Sequence, residues 1–287
     1  INHGCLMKKA KLIIWDLDDT LWEGSIAVSK DVKIHFDMIE YIKQLNNRGV
    51  VSSICSNNYF NFAKKFLECK NIWDLFVMPN INYQSKALRI KSIIEDFQLR
   101  PENVYFIDDN EFNINEVRHF NPDVNIIDAK DKKNVLNFLK ATKEQNNVDN
   151  GDRLNKYRIL EKKVVEKKNY GSNEDFLINS DILVNVKKAE RKDVDKAHEL
   201  VHRTNQLNYT KNRKSLKGIL KDILEHESYM IEVSDKYGNY GTVGFVSFSQ
   251  NKTHHFTFSC RILNMGVVNY VFGKMKVPDF DICGEVA

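Results

Sequence analysis

The segment Ile13–Gly24 reads IIWDLDDTLWEG and joins an apolar run to three carboxylates within four residues. Two bulky hydrophobic residues, Leu21 and Trp22, follow at once. Short apolar runs rich in β-branched residues are typical of strands buried in a parallel sheet. Carboxylates crowded at the end of such a strand repel one another unless a cation lies between them. The segment therefore predicts a buried strand that ends in a cation site.

Two later segments repeat the pattern of an apolar strand that ends in a polar residue. GVVSSICS (49–56) ends at Ser56, and NVYFID (103–108) ends at Asp108. Apolar residues with helical spacing lie between these strands. Alternating strands and helices predict a doubly wound parallel α/β sheet, which is a Rossmann-like arrangement. We expect Asp16, Ser56 and Asp108 to meet at the carboxyl ends of its strands.

The residues expected at this edge can bind both a cation and a phosphoryl group. Asp16 and Asp108 supply oxygen ligands, which suit Mg²⁺. Ser56 supplies a hydroxyl group, and Lys86, in NYQSKALRI, supplies an ammonium group. Together these residues predict Mg²⁺-assisted phosphoryl transfer.

Length and composition predict two domains, over 7–150 and 151–287, in a chain of 287 residues with 42% hydrophobic residues. No apolar run is long enough for a membrane span or a secretory signal, which predicts no membrane partner. The five cysteines are scattered without a CxxC pair, so we expect free thiols and a cytoplasmic location. The net charge of +4 is spread along the chain, which argues against a nucleic-acid partner.

The motif DLDDT is similar to the DxDxT signature of the haloacid dehalogenase (HAD) superfamily of phosphotransferases. Ser56, Lys86 and the pair Asp108 and Asp109 match the second, third and fourth motifs of that superfamily. DLDDTLWEG, ICSNN (54–58), FIDDN (106–110), RTNQLNYT (203–210) and SCRILNMG (259–266) together resemble the FkbH-like proteins. These are glyceryltransferase/phosphatases with a HAD subfamily IIIC core and a minimal cap, and they load acyl carrier proteins in polyketide biosynthesis.

The resemblance implies roles for the matched residues. Asp16 is the implied nucleophile, and Asp18 is the implied general acid and base. The implied Mg²⁺ ligands are Asp16, the backbone carbonyl of Asp18, Asp108 and Asp109. Lys86 and Ser56 are expected to hold phosphate oxygens, Thr20 to brace the loop, and Asn57 to contact substrate.

The implied reaction starts from 1,3-bisphosphoglycerate, which transfers its 3-phosphoglyceryl group to an enzyme thiol. The phosphate is then removed, and glycerate ends as a thioester on the phosphopantetheine arm of an acyl carrier protein. A plain Mg²⁺-dependent phosphatase acting on a small metabolite is one alternative. A non-catalytic carrier-docking module is another.

The second half of the chain resembles the GNAT acyltransferase fold, an α+β domain. A strand, a helix with Val194, Ala197 and Val201 on one face, and three antiparallel strands are expected in this order. The resemblance implies a pantetheine-binding turn at 261–266, with Arg261 as a substrate-binding residue. Asn264 stands where FkbH-like proteins usually have glycine, which favours carrier docking over tight coenzyme A binding.

Cys55 and Cys260 are the two candidate acyl carriers. Cys55 adjoins Ser56 near Lys86, and a thiol in that crevice keeps both reaction steps together, so Cys55 is preferred. Strand alternation opposes this choice, because Cys55 faces the core if Ser56 faces the site. Cys260 directly precedes the implied pantetheine turn.

Other polar residues of the second half have weaker signals. Asn205 and Gln206 are candidate substrate contacts, and His254 and His255 are interpreted as surface strand residues. The run 153–168 carries seven basic and two acidic side chains, so we expect it to steer an acidic carrier protein.

Overall fold

The computed structural model describes residues 8–29, 31–167, 169–204 and 206–283. The chain divides into two compact units, and the division falls between Glu161 and Lys162. This division lies inside a helix, Asp152–Lys167. The domain limits inferred from the sequence, 7–150 and 151–287, stay a prediction.

The first unit contains a parallel sheet, as the sequence predicts. Its strands are β1 (Leu12–Trp15), β2 (Trp22–Glu23), β3 (Lys33–Ile34), β4 (Val51–Ser56), β5 (Asn80–Ile81), β6 (Val104–Asp108) and β7 (Asn125–Asp128). Five of them form one parallel sheet in the order β5-β4-β1-β6-β7. The short strands β2 and β3 form an antiparallel hairpin directly after β1.

Helices flank this sheet and bury β1 on both faces. They are α1 (Phe36–Asn46), α2 (Phe60–Cys69), α3 (Lys86–Phe97), α4 (Glu111–Phe120), α5 (Lys132–Gln145) and α6 (Asp152–Lys167). Ile13 and Trp15 belong to one apolar cluster, whereas Leu12 and Ile14 belong to another. Successive strand residues point to opposite faces of a sheet, so β1 needs an unbroken apolar run. The prediction of a doubly wound α/β fold is confirmed.

The second unit contains a separate antiparallel sheet. Its elements are α7 (Asn173–Ile178), β8 (Leu183–Lys188), α8 (Val194–Arg203), α9 (Leu216–Glu225), β9 (Glu227–Asp235), β10 (Gly238–Ser249), β11 (Lys252–Phe258) and α10 (Val267–Met275). The strand order is β11-β10-β9-β8, so the three predicted antiparallel strands are confirmed. The likeness to the GNAT fold stays a prediction.

Side-chain packing joins the helices of the second unit to its sheet. Ala197 and Val201 of α8 share an apolar cluster with Ile219 of α9 and Phe245 of β10. Gly244 of β10 lies beneath the side-chain ring of Phe258 in β11. A Cβ atom at position 244 would be 2.7 Å from that ring. Glycine is therefore required at that point of β10.

The helices are too short or too polar to cross a lipid bilayer. A membrane-spanning helix needs about 20 mostly apolar residues. In the ranges that the structure describes, no helix combines that length with the required hydrophobicity.

Candidate active site

Parallel strands bring Asp16, Ser56 and Asp108 to one edge of the first unit's sheet. Asp16 directly follows β1, and its backbone N–H donates to the carbonyl of Ile107 in β6 at 2.9 Å. Ser56 ends β4 and is buried, and its hydroxyl group accepts from Asn58 Nδ2 at 3.3 Å. Asp108 ends β6 and is fully buried. The structure therefore brings together the three strand ends that the sequence expected to meet.

Lys86 joins two of these carboxylates. Its Nζ lies 2.9 Å from Asp16 Oδ1 and 2.6 Å from Asp108 Oδ2. Lys86 is the first residue of α3, and the Ser85 hydroxyl caps that helix by accepting from the Leu88 N–H. Burial opposes the charge of Lys86, but the carboxylates of Asp16 and Asp108 outweigh it and raise the pKa of the ammonium group. Lys86 is thus held protonated at the edge of the sheet.

Three carboxylates crowd around this lysine. Oxygen atoms of Asp16, Asp108 and Asp109 all lie within 4.8 Å of one another. Burial raises the pKa of Asp16, although Lys86 opposes the shift. Burial also raises the pKa of Asp109, and the negative charge of Asp16 raises it further. One ammonium group faces three carboxylates, and this excess of oxygen donors fits a hard divalent cation such as Mg²⁺.

Hydrogen bonds from the following helix orient Asp108. The backbone N–H of Asn110 donates to Asp108 Oδ1 at 2.7 Å. Asn113 Nδ2 lies 3.3 Å from both carboxylate oxygens. Asn113 is a buried residue of α4 that the sequence interpretation missed. Such donors fix the rotamer of a metal-binding carboxylate.

The Asp18 carboxylate points to the β2–β3 hairpin and accepts four hydrogen bonds. Its Oδ1 accepts from Trp22 Nε1 at 2.9 Å and from the Ile26 N–H at 3.2 Å. Its Oδ2 accepts from the Ser25 hydroxyl at 2.6 Å and from Asn58 Nδ2 at 3.3 Å. Four donors fix Asp18 next to the site without pairing it with Lys86.

The turn after Asp18 is closed by a left-handed residue and by hydrogen bonds within the turn. Asp19 has a left-handed backbone, with φ 53°, and its Oδ1 accepts from the Gly24 N–H at 2.7 Å. Thr20 is buried, and its N–H donates to the Leu17 carbonyl at 3.2 Å. The Thr20 hydroxyl makes no hydrogen bond within the described residues, so a role for this side chain in bracing the loop or contacting substrate stays a prediction.

Arg89 is a buried residue next to the site that the sequence interpretation missed. It lies on α3 and donates from Nη1 to the carbonyls of Ser56, at 2.9 Å, and Asn80, at 3.2 Å. Its Nη2 donates to Asn57 Oδ1. The available signal was the i, i+3 spacing of Lys86 and Arg89 on the otherwise apolar face of a helix.

The structure contradicts the preference for Cys55 as acyl carrier. Cys55 is fully buried in the apolar cluster that contains Ile14 and Ile90. Because neighbours in a strand face opposite sides, Ser56 faces the site and Cys55 faces the core. Burial raises the pKa of the Cys55 thiol to about 12, so a thiolate does not form there near neutral pH.

Cys260 has a more open position in the second unit. It is half-buried, and its Sγ donates to Gln206 Oε1 at 3.5 Å. Burial raises the pKa of the Cys260 thiol above its ordinary value. Gln206 thus contacts the candidate thiol, whereas Asn205 lies outside the described residues.

The guanidinium group of Arg261 is used within the protein. It donates to the Ser259 hydroxyl at 3.0 Å, to the Thr242 carbonyl at 3.1 Å and to the Tyr240 carbonyl. These bonds tie the turn to β10, and substrate binding by Arg261 stays a prediction. Gly266 caps α10, and Asn264 has the left-handed backbone that its sequence allowed, with φ 59°.

A second group of titratable residues surrounds Asp222 in α9. Lys214 Nζ contacts both carboxylate oxygens of Asp222, at 2.7 and 2.8 Å. His255 is fully buried, and its Nε2 lies 3.0 Å from Asp222 Oδ2, so its interpretation as a surface residue is wrong. His226 stacks on His254 with ring centroids 4.1 Å apart.

The basic run 153–168 is only partly solvated. Arg153 donates to the Gly49 carbonyl at 3.2 Å, and Arg158 donates to the Asp74 carbonyl. The Lys163 side chain is 12% exposed and lies 3.4 Å from Asp235 Oδ2. Lys162 is exposed, and Lys168 lies outside the described residues. Lys163 therefore supports the second unit and is not a free charge for steering a partner.

Comparisons with known proteins give limited matches. No protein-family model matches the sequence, and no curated protein matches it. The N-terminal part of BF1531 from Bacteroides fragilis, containing a phosphatase domain complexed with Mg, is 26% identical, with a TM-score of 0.43. That match covers 49% of this chain and 42% of the Bacteroides chain, so this chain spans less than half of it.

Two further solved structures match about half of this chain. A HAD-superfamily hydrolase from Ehrlichia chaffeensis is 13% identical over 47% of this chain and 98% of its own, with a TM-score of 0.39. The 3-deoxy-D-manno-octulosonate 8-phosphate phosphatase from Moraxella catarrhalis was solved with magnesium ion, phosphate ion and KDO. It is 14% identical over 48% of this chain and 90% of its own, with a TM-score of 0.37.

Proposed function

We propose that the first unit is a Mg²⁺-dependent phosphatase that uses HAD-type phosphoryl transfer. The observation that carries this proposal is the cluster of Asp16, Asp108 and Asp109 around Lys86 at the carboxyl edge of a parallel sheet. Asp16, Asp108 and Asp109 would hold Mg²⁺, together with the backbone carbonyl of Asp18 that the resemblance implies. The ion supplies positive charge that offsets the phosphoryl oxygens.

The residues of the site then have distinct tasks in the first chemical step. A carboxylate oxygen of Asp16 attacks phosphorus while the bond from phosphorus to the leaving oxygen breaks. Asp18 enters this step protonated, unlike the carboxylate described above, and donates that proton to the leaving oxygen. Lys86 and Ser56 bind the phosphoryl oxygens and keep phosphorus in line with Asp16.

The second step regenerates the enzyme. Asp18, now a carboxylate, accepts a proton from water as the water oxygen attacks phosphorus of the aspartyl phosphate. The bond between phosphorus and the Asp16 oxygen breaks, which releases inorganic phosphate and restores the carboxylate. Both protons are accounted for by Asp18, whose position is fixed by its four hydrogen bonds.

A panel of phosphomonoesters tests this proposal. We expect phosphate release that requires Mg²⁺, stops with EDTA and returns when Mg²⁺ is added in excess. Asp108→Asn should abolish the response to Mg²⁺ because it removes a fully buried ligand. Phosphate release that is equal with and without EDTA would contradict the proposal.

Glyceryl transfer to an acyl carrier protein is a second and more specific candidate, based on the FkbH-like motifs. The observation that favours it is the half-buried thiol of Cys260 beside Gln206, at the turn before α10. The Cys260 sulfur would attack the acyl carbon of 1,3-bisphosphoglycerate and lose its proton, and the bond from that carbon to the acyl phosphate oxygen would break. The distal phosphoryl group would then pass to Asp16 and leave as inorganic phosphate by the two steps given above. The pantetheine thiol would attack the thioester carbon and lose its proton, while the bond from that carbon to the Cys260 sulfur breaks and the sulfur regains a proton.

Intact-protein mass spectrometry tests this second candidate. The chain is incubated with 1,3-bisphosphoglycerate in the Asp16→Asn background, where dephosphorylation is blocked, with and without a candidate carrier protein. We expect a phosphoglyceryl adduct that Cys260→Ala removes and Cys55→Ala retains. The absence of any thiol adduct would contradict glyceryl transfer and leave the plain Mg²⁺-dependent phosphatase as the supported function.

Free thiols require a reducing compartment, so we propose a cytoplasmic location for this reaction.

A further inference from the structure

The carboxylate of Glu116 holds the first turn of α3 from the neighbouring helix α4. Its Oε1 accepts from the Ser85 hydroxyl group at 2.7 Å, and its Oε2 accepts from the Ala87 N–H at 3.4 Å. Ser85 and Ala87 are the residues directly before and after Lys86. One carboxylate therefore fixes the chain on both sides of the lysine at the candidate active site.

The sequence of α3 lacks the acid that usually completes a helix start of this kind. Ser85 is the N-cap, and its hydroxyl oxygen accepts from the Leu88 N–H. In a capping box, the third helical residue is Glu or Gln and accepts from the N-cap backbone. That position is occupied here by Leu88, which is exposed, and the first turn of α3 contains no acidic residue. Glu116 thus supplies from another helix a carboxylate that α3 lacks, at the end where a negative charge is favourable.

Helix α4 also orients the carboxylate that Lys86 contacts. Asn113 of α4 lies 3.3 Å from both carboxylate oxygens of Asp108. Asn121, directly after α4, donates from Nδ2 to the Ala87 carbonyl at 3.1 Å. Both members of the ion pair between Lys86 and Asp108 are therefore held by contacts to the same helix.

The position of the Lys86 ammonium group depends on the position of its backbone. Lys86 is buried, with 2% of its surface exposed, so packing restricts its rotamers and a shift of the first turn of α3 moves Nζ. An ammonium group stabilises phosphoryl transfer when it is already in place, and a displacement of about 1 Å can cost roughly 10²-fold in rate. The contacts that fix the start of α3 therefore bear on catalysis.

We infer that Glu116 is a positioning residue for phosphoryl transfer, because it fixes the start of α3 and with it the Lys86 ammonium group. The inference rests on the proposed phosphatase function. Glu116 does not touch substrate, and its effect passes through Ser85 and the backbone at Ala87.

Glu116→Gln with a matched control tests the inference. Glutamine has the size of glutamate but only one acceptor oxygen, so one of the two contacts is lost. We expect kcat/KM for a phosphomonoester to fall by roughly 10- to 100-fold. Tyr157→Phe is the control, since it removes the hydrogen bond from the Tyr157 hydroxyl group to the Phe97 carbonyl at the other end of α3. It should lower the midpoint of urea unfolding and leave kcat/KM unchanged. Equal kcat/KM in the two variants would overturn the inference.

A second substitution separates positioning from simple helix capping. Leu88→Glu gives α3 an acid of its own at the third helical position, without a tie to α4. In the Glu116→Gln background it should restore the midpoint of urea unfolding, while kcat/KM stays roughly 10- to 100-fold below that of Leu88→Glu alone. The single variant Leu88→Glu corrects for any effect of the added charge on substrate. Recovery of kcat/KM to the level of Leu88→Glu would show that Glu116 only caps the helix.

Mg²⁺ binding and Asp16→Asn keep the outcomes distinguishable. Calorimetry should show Mg²⁺ binding retained in Glu116→Gln, and its loss would overturn the inference, because the substitution would then act on the whole carboxylate cluster. Asp16→Asn is assayed beside these variants. If folded Asp16→Asn retains activity, the proposed function itself fails. If it is inactive while Glu116→Gln matches Tyr157→Phe in kcat/KM, only the positioning role fails.

Discussion

The first unit buries Asp16 and Asp108 beside Lys86, and the second unit buries Asp222 beside Lys214. In each unit a lysine ammonium group lies within 3 Å of a carboxylate, and in each unit three potential ligand atoms lie within 4.8 Å of one another. The two regions differ in charge balance. One ammonium group serves three carboxylates in the first unit, whereas Lys214 covers both oxygens of a single carboxylate in the second.

This difference separates a cation site from a structural ion pair. The first cluster has carboxylate oxygens in excess, so binding of a divalent cation relieves repulsion. Asp222 is already neutralised by Lys214 and also contacts His255. The rings of His226 and His254 are nearly parallel, at 6°, so their in-plane lone pairs do not converge on one point. Proximity of potential ligand atoms is therefore not enough to define a cation site. The charge balance of the cluster decides whether a cation binds there.

The largest expected effect is the loss of phosphate release in Asp16→Asn. The amide is a poor nucleophile and a poor metal ligand, so we expect kcat to fall by roughly 10⁴-fold or more. Asp222→Asn is the matched control, since it also neutralises a buried carboxylate and should leave kcat per folded molecule unchanged. Phosphate release is measured at saturating Mg²⁺. Near-normal turnover by folded Asp16→Asn would remove the distinction between the two clusters.

Removal of each lysine should affect stability differently. Lys214→Met leaves Asp222 buried without its ammonium partner, and we expect a loss of about 3 kcal/mol in the free energy of unfolding that Mg²⁺ does not restore. Lys86→Met should also destabilise the protein, but Mg²⁺ should recover much of that loss because the carboxylates remain available. Urea unfolding with and without Mg²⁺ measures both. Equal recovery in the two variants would contradict the assignment by charge balance.

Mg²⁺ should stabilise the unsubstituted protein through the first unit alone. At a free concentration 100 times Kd, a ligand that binds only the native state adds about 2.7 kcal/mol. We expect Asp108→Asn to abolish this gain and His254→Ala to retain it. The measurement is urea unfolding followed separately for each unit's transition. A gain that depends on His254 would show that the second cluster binds the ion.

The smallest expected effect is the dependence of stability on pH that the buried Cys55 thiol produces. The pKa of Cys55 is raised from 9.0 to about 12 by burial, so the folded state keeps its proton at a pH where the unfolded chain loses it. The stability that this provides is complete below pH 9.0 and is lost progressively between pH 9.0 and about 12. Between pH 8 and 10, the unsubstituted protein should lose about 1.4 kcal/mol more than Cys55→Ala.

The rate of alkylation compares the accessibility of the Cys55 and Cys260 thiols. Iodoacetamide should modify the half-buried Cys260 well before Cys55, because Cys55 is fully buried. Peptide mass spectrometry at increasing times gives the order of modification. Modification of Cys55 first, in folded protein, would restore Cys55 as a candidate acyl carrier.

Residues at strand ends were the most predictable part of the candidate site. Asp16, Ser56 and Asp108 each end an apolar run, and parallel pairing brings such ends to one edge. Arg89 and Asn113 were not found because each is one polar residue on a helix, where a solvated side chain is the usual interpretation. His255 was assigned to the surface because its partner Asp222 is 33 residues away in the chain.

The residue pattern along the chain was enough to predict the order of strands and helices, the parallel sheet of the first unit and the positions of the carboxylates at its edge. These features depend on residue periodicity and on neighbours along the chain, which are local properties. The folded structure was needed to show that Ser56 faces the site while Cys55 faces the core, and that Lys163 and Arg261 are engaged within the protein. Burial and charge compensation depend on groups that are distant in sequence, and those groups become neighbours only when the chain is folded.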